Sequence, residues 1–149
     1  MPILLKLICM LEERQRLEVR LRSVKMDGLI TFENDTVIGL PTVDDNGKIL
    51  ERALVGSYVI VPKSGVATPF DLSEHEWLDV KKMIDTLKNY LDEKYKPDGY
   101  NLGWNVGSVA GQTWEVVHLH VIPRFKDEPR ANIGIRFWLK QDENTRPCN

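Results

Sequence analysis

One long stretch of the chain places apolar residues at helical spacing. These residues are Trp77, Val80, Ile84, Leu87 and Leu91, and each follows the previous one by three or four positions. The spacing predicts an amphipathic helix with one apolar stripe, whose residues should pack in the core. Ser73, followed three residues later by Glu76, has the pattern of a capping box, so the helix should begin there and end before Pro97 and Gly99.

Shorter apolar runs, bounded by residues that favour turns, predict β-strands on both sides of this helix. The predicted strands cover residues 29–33, 36–40, 57–61, 100–105 and 116–122. Asn34 and Asp35 should form the turn of a hairpin between the first two strands, and Pro123 should end the last. Residues 17–24 fit a strand or a helix. Strands in succession, with one helix between them, favour an α+β domain in which the helix covers one face of an antiparallel sheet.

Length and composition restrict the class of protein but not its function. A chain of 149 residues without repeats or linkers should form a single domain. Its formal net charge of -2 supplies no excess of cations for a nucleic-acid groove, although a small phosphorylated ligand remains possible. Cys9 and Cys148 form no disulfide framework, and residues 1–10 are short and interrupted by Lys6. We therefore expect a cytoplasmic protein with neither a signal peptide nor a membrane span.

Two histidines near the end of the sheet region carry the clearest chemical signal. His118 and His120 flank Leu119 in a predicted strand, and alternate side chains of a strand point to the same face. Their Cα atoms should lie roughly 6.5 to 7 Å apart. At that separation both imidazoles can contact one phosphate group.

A polar, glycine-bearing segment leads into the histidine strand. Residues 103–107 and 111–113 read Gly-Trp-Asn-Val-Gly and Gly-Gln-Thr. Glycines let the backbone approach a ligand closely, and successive N–H groups can form a nest for an anion. The hydroxyl of Thr113 could add a hydrogen bond to a phosphate oxygen.

Residues 105–124 resemble the signature segment of the histidine triad (HIT) family: Asn-Val-Gly-Ser-Val-Ala-Gly-Gln-Thr-Trp-Glu-Val-Val-His-Leu-His-Val-Ile-Pro-Arg. That family places an asparagine ahead of a Gly-Gln-Ser/Thr turn and then a strand of three alternating histidines. The resemblance extends over residues 29–124, with 1–28 as an N-terminal extension and 125–149 as a C-terminal segment of the same domain. It implies the family's α+β fold of about five antiparallel strands with one long helix, and commonly a homodimer.

The resemblance also implies a reaction and assigns residues to it. In the family the middle histidine, as a neutral imidazole, attacks the α-phosphorus of a nucleotide, and water then hydrolyses the nucleotidyl-histidine. These positions correspond to His118 as the nucleophile and His120 as a phosphate ligand. Further phosphate-binding roles correspond to Asn105, Gly111, Gln112 and Thr113. The implied substrates are nucleoside phosphoramidates or dinucleoside polyphosphates, with no metal and no cofactor.

The chain departs from the family pattern where further histidines are usual. Val116 replaces the first histidine of the triad, and a valine side chain can neither relay a proton nor accept a hydrogen bond. Ser57 and Gly65 stand where relatives often have histidines. The remaining histidine, His75, lies between two glutamates at the helix start and should be exposed. Turnover is therefore expected to be reduced, and hydrolysis rests on His118.

Three functions remain open at this point. A hydrolase or transferase would give a nucleotidyl adduct on His118, whereas a nucleotide-binding module that has lost efficient catalysis would regain activity through Val116→His. A metal protein would use His118 and His120, but no third ligand is evident in the sequence.

Several other residues have two interpretations. Trp104 and Trp114 flank the glycine turn and should pack in the core or an interface, or else contact a base. Residues 133–139 are apolar and should fold back over the site or a partner, or form an edge strand. Asp44 and Asp45 are weak candidates for a ribose ligand.

Overall fold

The computed structural model describes residues 25–26, 29–43, 48–50 and 53–147. The predictions for residues 1–24, for Asp44 and Asp45 and for both cysteines therefore lie outside the described residues.

The described strands form one large sheet and one small one. They are β1 (Lys25–Met26), β2 (Leu29–Ile30), β3 (Phe32–Glu33), β4 (Val37–Pro41), β5 (Tyr58–Pro62), β6 (Gly99–Trp104) and β7 (Leu119–Arg124). β1 pairs with β2, and the other five strands form an antiparallel sheet in the order β3-β4-β5-β7-β6. The predicted antiparallel α+β architecture is confirmed, and β6 forms one edge of the sheet.

The hairpin predicted around Asn34 and Asp35 joins β3 to β4. Glu33 pairs with Ile38, and the side-chain oxygen of Asn34 accepts a hydrogen bond from the backbone of Val37 at 3.0 Å. The predicted strand 29–33 is interrupted at Thr31, so that its first part pairs in the small sheet instead.

The long helix α1 spans Glu74–Tyr95 and begins with the predicted capping box of Ser73 and Glu76. It ends at Lys96, whose backbone is left-handed (φ 50°), directly before Pro97. No helix in the described part of the chain has the length and apolar character needed to cross a membrane.

The apolar stripe of α1 packs on one face of the sheet and forms the main core. Its fully buried residues are Val80, Met83, Leu87 and Leu91, with Val37, Tyr58, Ile60, Leu119 and Val121 opposite them on the strands. Trp77, which was predicted to lie in the core, is 44% exposed. It lies where the helix passes the edge strand and contacts Trp104 at a ring-centroid distance of 5.9 Å.

A second, smaller apolar cluster lies on the other face of the sheet. It contains Ile38, Leu40, Val59 and Val61, with Trp114 and Val116 packed against it. Because α1 covers the first face, this second face is not covered by the helix and is available for other contacts. We call it the histidine face, since His120 of β7 lies directly across from Val59 of β5.

The histidine strand begins and ends later than the pattern predicts. β7 starts at Leu119 and continues through Pro123, which pairs with Tyr100, whereas residues 116–118 precede the strand. β5 pairs with β7 only as far as Val121, so Pro123 has a neighbouring strand on one side alone. A proline without an N–H is tolerated there because no ladder bond is lost on the open side.

The C-terminal segment returns to the histidine face without forming a strand. Gly103 pairs with His120, and a Cβ at Gly103 would lie 3.4 Å from the Cδ1 of Ile135. The edge-strand interpretation of residues 133–139 is therefore wrong, because this segment consists of turns and a short 3-10 helix at Trp138–Lys140.

Candidate functional site

The two histidines lie side by side on the histidine face. His118 immediately precedes β7, and His120 is its second residue. Their ring centroids are 4.9 Å apart and the rings meet edge to face. The neighbouring Val117, Leu119 and Val121 are buried, the last two in the core under the helix. The alternation predicted from the sequence is confirmed.

The tautomer of His118 is fixed by the backbone. Its Nδ1 lies 3.1 Å from the carbonyl oxygen of Val116. A carbonyl can only accept a hydrogen bond, so Nδ1 carries the proton and Nε2 keeps a free lone pair. The side chain of Val116 makes no such bond, but its backbone supplies one.

Burial keeps His118 in its neutral form. The residue is 5% exposed, and this desolvation lowers the pKa of the imidazole below its ordinary value of 6.5, with the hydrogen bond to Val116 opposing the shift in part. A neutral imidazole with its lone pair on Nε2 is a nucleophile at pH 7.

The indole of Trp114 also lies against the His118 ring. The two ring centroids are 4.3 Å apart with an interplanar angle of 38°. Trp114 itself packs against the apolar cluster of the histidine face. The ring of His118 therefore contacts both Trp114 and His120. The packing interpretation is confirmed for Trp114 and also for Trp104, which packs against the main core.

His120 has a buried nitrogen without a protein partner. Among the described residues, the buried side-chain polar atoms without a hydrogen bond are His120 Nε2 and Ser57 Oγ. Burial lowers the pKa of His120, and the charge of His118 lowers it further. Because buried polar atoms normally find partners, the free nitrogen of His120 is an observation that points to a ligand.

The glycine-bearing segment forms a compact loop that Gln112 holds closed. Gly107 and Gly111 have positive φ values of 81° and 88° on either side of the 3-10 turn Ser108–Ala110. The side-chain oxygen of Gln112 accepts a hydrogen bond from the backbone of Gly107 at 2.7 Å. Its side-chain nitrogen donates to the carbonyl of Ala67 at 3.1 Å. Gln112 thus ties the loop to the segment that follows β5.

This loop starts beside the nucleophile candidate. Trp104 and Leu119 form the last pair between β6 and β7, so Asn105 and His118 are the next residues on the two chains. The amide nitrogen of Asn105 lies 3.5 Å from the carbonyl oxygen of Gly111. Thr113 follows Gln112 and is exposed. The predicted phosphate-binding residues therefore belong to one loop whose first residue adjoins His118.

The cluster of potential metal ligands that the described residues form lies away from the two histidines. Asp35, His75 and Asp79 bring one ligand atom each to within 4.8 Å of one another, and this cluster does not include His118 or His120. Both carboxylate oxygens of Asp79 already have protein partners, among them Thr36 and Lys82. His75 is exposed, as predicted, with 60% of its side chain accessible.

Two site contacts were missed by reasoning from sequence. The pattern around Trp114 gave no sign that its ring lies on His118, because residues 114–116 are irregular and have no side-chain periodicity. The contact between Ile135 and Gly103 joins segments that are far apart in the chain. The apolar character of residues 133–139 predicted that they fold back over the site or a partner, but it did not identify Gly103 as their neighbour.

Comparison with known protein families identifies one match: residues 55–127 match the family model described as HIT domain. Among curated relatives, a bis(5'-adenosyl)-triphosphatase of Dictyostelium discoideum is 34% identical over 97 residues, which cover 65% of each chain. An asymmetrical bis(5'-nucleosyl)-tetraphosphatase of Schizosaccharomyces pombe is 28% identical over 94 residues, covering 63% of this chain and 52% of that protein. The chain therefore spans less than two thirds of each of these relatives.

Solved structures share the fold. A HIT family protein from Bacillus anthracis superposes with a TM-score of 0.58 at 21% identity, over 81% of this chain and 73% of that one. The C. elegans NitFhit protein gives a TM-score of 0.54 at 22% identity, over 68% of this chain and 23% of that one.

Proposed function

Because this chain belongs to the HIT family, we propose that it is a nucleotidyl hydrolase or transferase with His118 as its nucleophile. Its substrates are dinucleoside polyphosphates or nucleoside phosphoramidates, cleaved at the α-phosphate. The two curated relatives are named as a dinucleoside triphosphatase and a dinucleoside tetraphosphatase, and these names support dinucleoside polyphosphates as the substrate class.

The observation that carries this proposal is the state of the two imidazoles. His118 has its proton on Nδ1 and a lone pair on Nε2, and His120 beside it has a buried nitrogen without a protein partner. A phosphate placed between them and the loop of residues 105–113 would receive the lone pair of one ring and a hydrogen bond from the other.

In the first step Nε2 of His118 bonds to the α-phosphorus while the bond from phosphorus to the leaving group breaks. The electron pair of that bond departs with the leaving group: a nucleotide leaves as its phosphate anion, and an amine takes up a proton from solvent as it leaves. Asn105 and Thr113 hold the phosphate oxygens, and His120 adds a further contact. The N–H of Gly111 donates to the carbonyl of Ser108 at 3.0 Å, so Gly111 shapes the loop and leaves the phosphate to these side chains. Gln112 contributes by bracing the loop, because both ends of its amide are engaged there.

In the second step water attacks the phosphorus and releases a proton to solvent, and the phosphorus–nitrogen bond breaks. The electron pair returns to Nε2, and His118 is again a neutral imidazole with its proton on Nδ1. The hydrogen bond to Val116 persists through both steps, because the backbone carbonyl has no role in either bond change. A side chain at position 116 is not needed to orient the nucleophile.

The decisive experiment is the capture of the adduct. Purified protein is mixed with a radiolabelled diadenosine polyphosphate, quenched in alkali within milliseconds to seconds and mapped by mass spectrometry. An adenylyl group on the peptide that contains His118 supports the proposal. The alternative is a binding module without catalysis. It would be favoured if the same compound raises the melting temperature but gives neither adduct nor product at any pH between about 6 and 9.

The pH dependence of activity follows from the burial of His118. We expect kcat/KM to fall on the acid side with a midpoint below 6.5, because burial lowers the pKa of the nucleophile and protonation removes its lone pair. Activity should therefore be constant as pH falls from 8 to 7. Rates measured from pH 8 down to about 5 in His75→Gln, which changes an exposed histidine, should give the same midpoint as the wild-type protein. A midpoint above 6.5 would contradict the assignment.

Gln112 offers a test of the loop that is separate from the nucleophile. Gln112→Ala removes the bonds to Gly107 and Ala67, so the loop should lose its fixed position and kcat/KM should fall roughly 10–100-fold. Steady-state kinetics will measure this loss. Gln141→Ala, in which the lost bond lies in the C-terminal segment, is the matched control and should retain activity within about twofold.

The predicted homodimer remains a proposal, and the edge of the sheet supports it. Among the described strands, β6 has a paired neighbour on one side only. Exposed apolar residues lie along β6 and on α1, namely Leu102, Trp77 and Leu78. A second copy could extend the sheet edge to edge and cover these residues. Analytical ultracentrifugation should show a dimer at micromolar concentration.

The predicted cytoplasmic location also remains a proposal, based on the cysteine content.

A further inference from the structure

The contact between Trp114 and His118 has an electrostatic consequence as well as a steric one. An indole has the most electron-rich face among the aromatic side chains, and a cation within about 6 Å of its centroid is attracted to it. The ring centroids of His118 and Trp114 are 4.3 Å apart, inside that limit, and His118 is only 5% exposed to solvent. Desolvation strengthens such a contact.

We propose that Trp114 is a positioning residue that stabilises positive charge on the ring of His118, including the charge that this ring carries while its Nε2 is bonded to phosphorus. The second half of this statement rests on the proposed function. The first half concerns the protein without substrate and is independent of it.

The charge follows from the balance of the reaction. His118 keeps the proton on Nδ1 that is bound to the Val116 carbonyl, so formation of the new bond at Nε2 makes the ring cationic. The negative charge leaves with the departing group. When water later cleaves the phosphorus–nitrogen bond, the ring becomes neutral. An indole against this ring therefore favours the adduct over the states before and after it.

Among the described residues, few other charged side chains lie near this ring. His120 is the titratable side chain in contact with it in the described structure, and the strand across from it, β5, contributes apolar Val59 and Val61. Lys63, at the end of β5, is bound to Glu33 at 2.7 Å and to the backbone of Asn34. Glu115 beside Trp114 is exposed. Besides the Val116 carbonyl, which accepts from Nδ1, the indole of Trp114 is therefore the neighbouring group that can stabilise charge on this ring.

The test must change the electrons of the indole without changing its shape. Truncation of Trp114 would open the ring of His118 to water and would alter desolvation at the same time. Site-specific incorporation of mono-, di- and trifluorinated tryptophan at position 114 weakens the attraction stepwise and leaves the size of the ring nearly the same. The same series at Trp77, which lies on the helix side of the sheet, is the matched control.

Two measurements follow on each protein. Without substrate, the pKa of His118, measured by nuclear magnetic resonance, should fall stepwise by about half a unit across the series at position 114 and stay constant for position 77. With a diadenosine polyphosphate, rapid-quench kinetics should show slower formation of the adduct, by roughly threefold, and faster hydrolysis of it. A purely structural role of Trp114 would slow both steps or neither.

The outcomes separate this inference from the proposed function. If the pKa of His118 is the same throughout the series at position 114, the inference is overturned even when the protein is an active hydrolase. A protein whose pKa responds but which forms no adduct supports the contact and overturns the proposed reaction. Opposite changes in the two half-reactions support both.

Discussion

Replacement of His118 by alanine is expected to lower kcat for a dinucleoside polyphosphate by at least about 10⁴-fold, because it removes the nucleophile. Affinity for the nucleotide should change by less than about tenfold, since the loop of residues 105–113 and His120 remain. Rapid-quench analysis should detect no adduct. Equilibrium binding on the same sample will measure the retained affinity, and circular dichroism will show whether the fold is intact.

His118 lies against Trp114, so a cavity in the alanine variant could also disturb the site. His118→Gln fills most of that space and provides a second test with the same expected loss. His75→Ala is the matched control, since His75 is exposed at the start of α1 and should keep full activity. Retention of more than about 1% of wild-type kcat in both His118 variants would show that another group is the nucleophile.

Features fixed by neighbouring residues in the sequence were predicted well. The capping box at Ser73 and the apolar spacing of α1 gave the start and the inner face of the helix, because both depend on contacts three or four residues apart. The shared face of His118 and His120 followed from the alternation of a strand. These rules are local, and no knowledge of the remaining chain is needed to apply them.

Features fixed by distant strands were not predicted. Whether Pro123 can lie inside β7 depends on where β5 ends, and Trp77 is exposed because α1 passes the sheet edge at that point. Neither feature can be predicted from the residues next to it in the sequence. Side-chain packing in the finished fold, and not local preference, decides such positions.

The same distinction applies to the site. The identity of the side chain at 116 suggested that orientation of the nucleophile was lost, since valine has no polar group. The structure shows the orienting bond coming from the Val116 carbonyl, which any residue would supply. Sequence reasoning compares side chains and therefore overlooks a contact made by the backbone. Retained tautomer control is one reason to expect turnover from a pair of histidines.

The second large effect is expected at Arg124, the last residue of β7. Its guanidinium donates hydrogen bonds to the side chains of Asn101 and Glu128 and to the carbonyls of Arg130 (2.7 Å) and Ile133 (2.8 Å). A planar guanidinium with five donors suits such a set of acceptors, and a lysine would satisfy only part of it. Arg124 thereby fastens the C-terminal segment to the histidine face.

Arg124→Met keeps most of the aliphatic stem and removes these bonds, so the free energy of unfolding should fall by about 2–4 kcal/mol. Denaturant titration will measure the loss. The C-terminal segment, which places Ile135 next to Gly103, should then open more often. Amide hydrogen exchange should therefore also become faster across residues 128–137. Lys126→Ala is the matched control: its contact with Asp98 is exposed and spans 3.9 Å, so stability should change by less than about 0.5 kcal/mol. Equal losses in the two variants would mean that Arg124 contributes no more than a surface charge and that other contacts hold the segment.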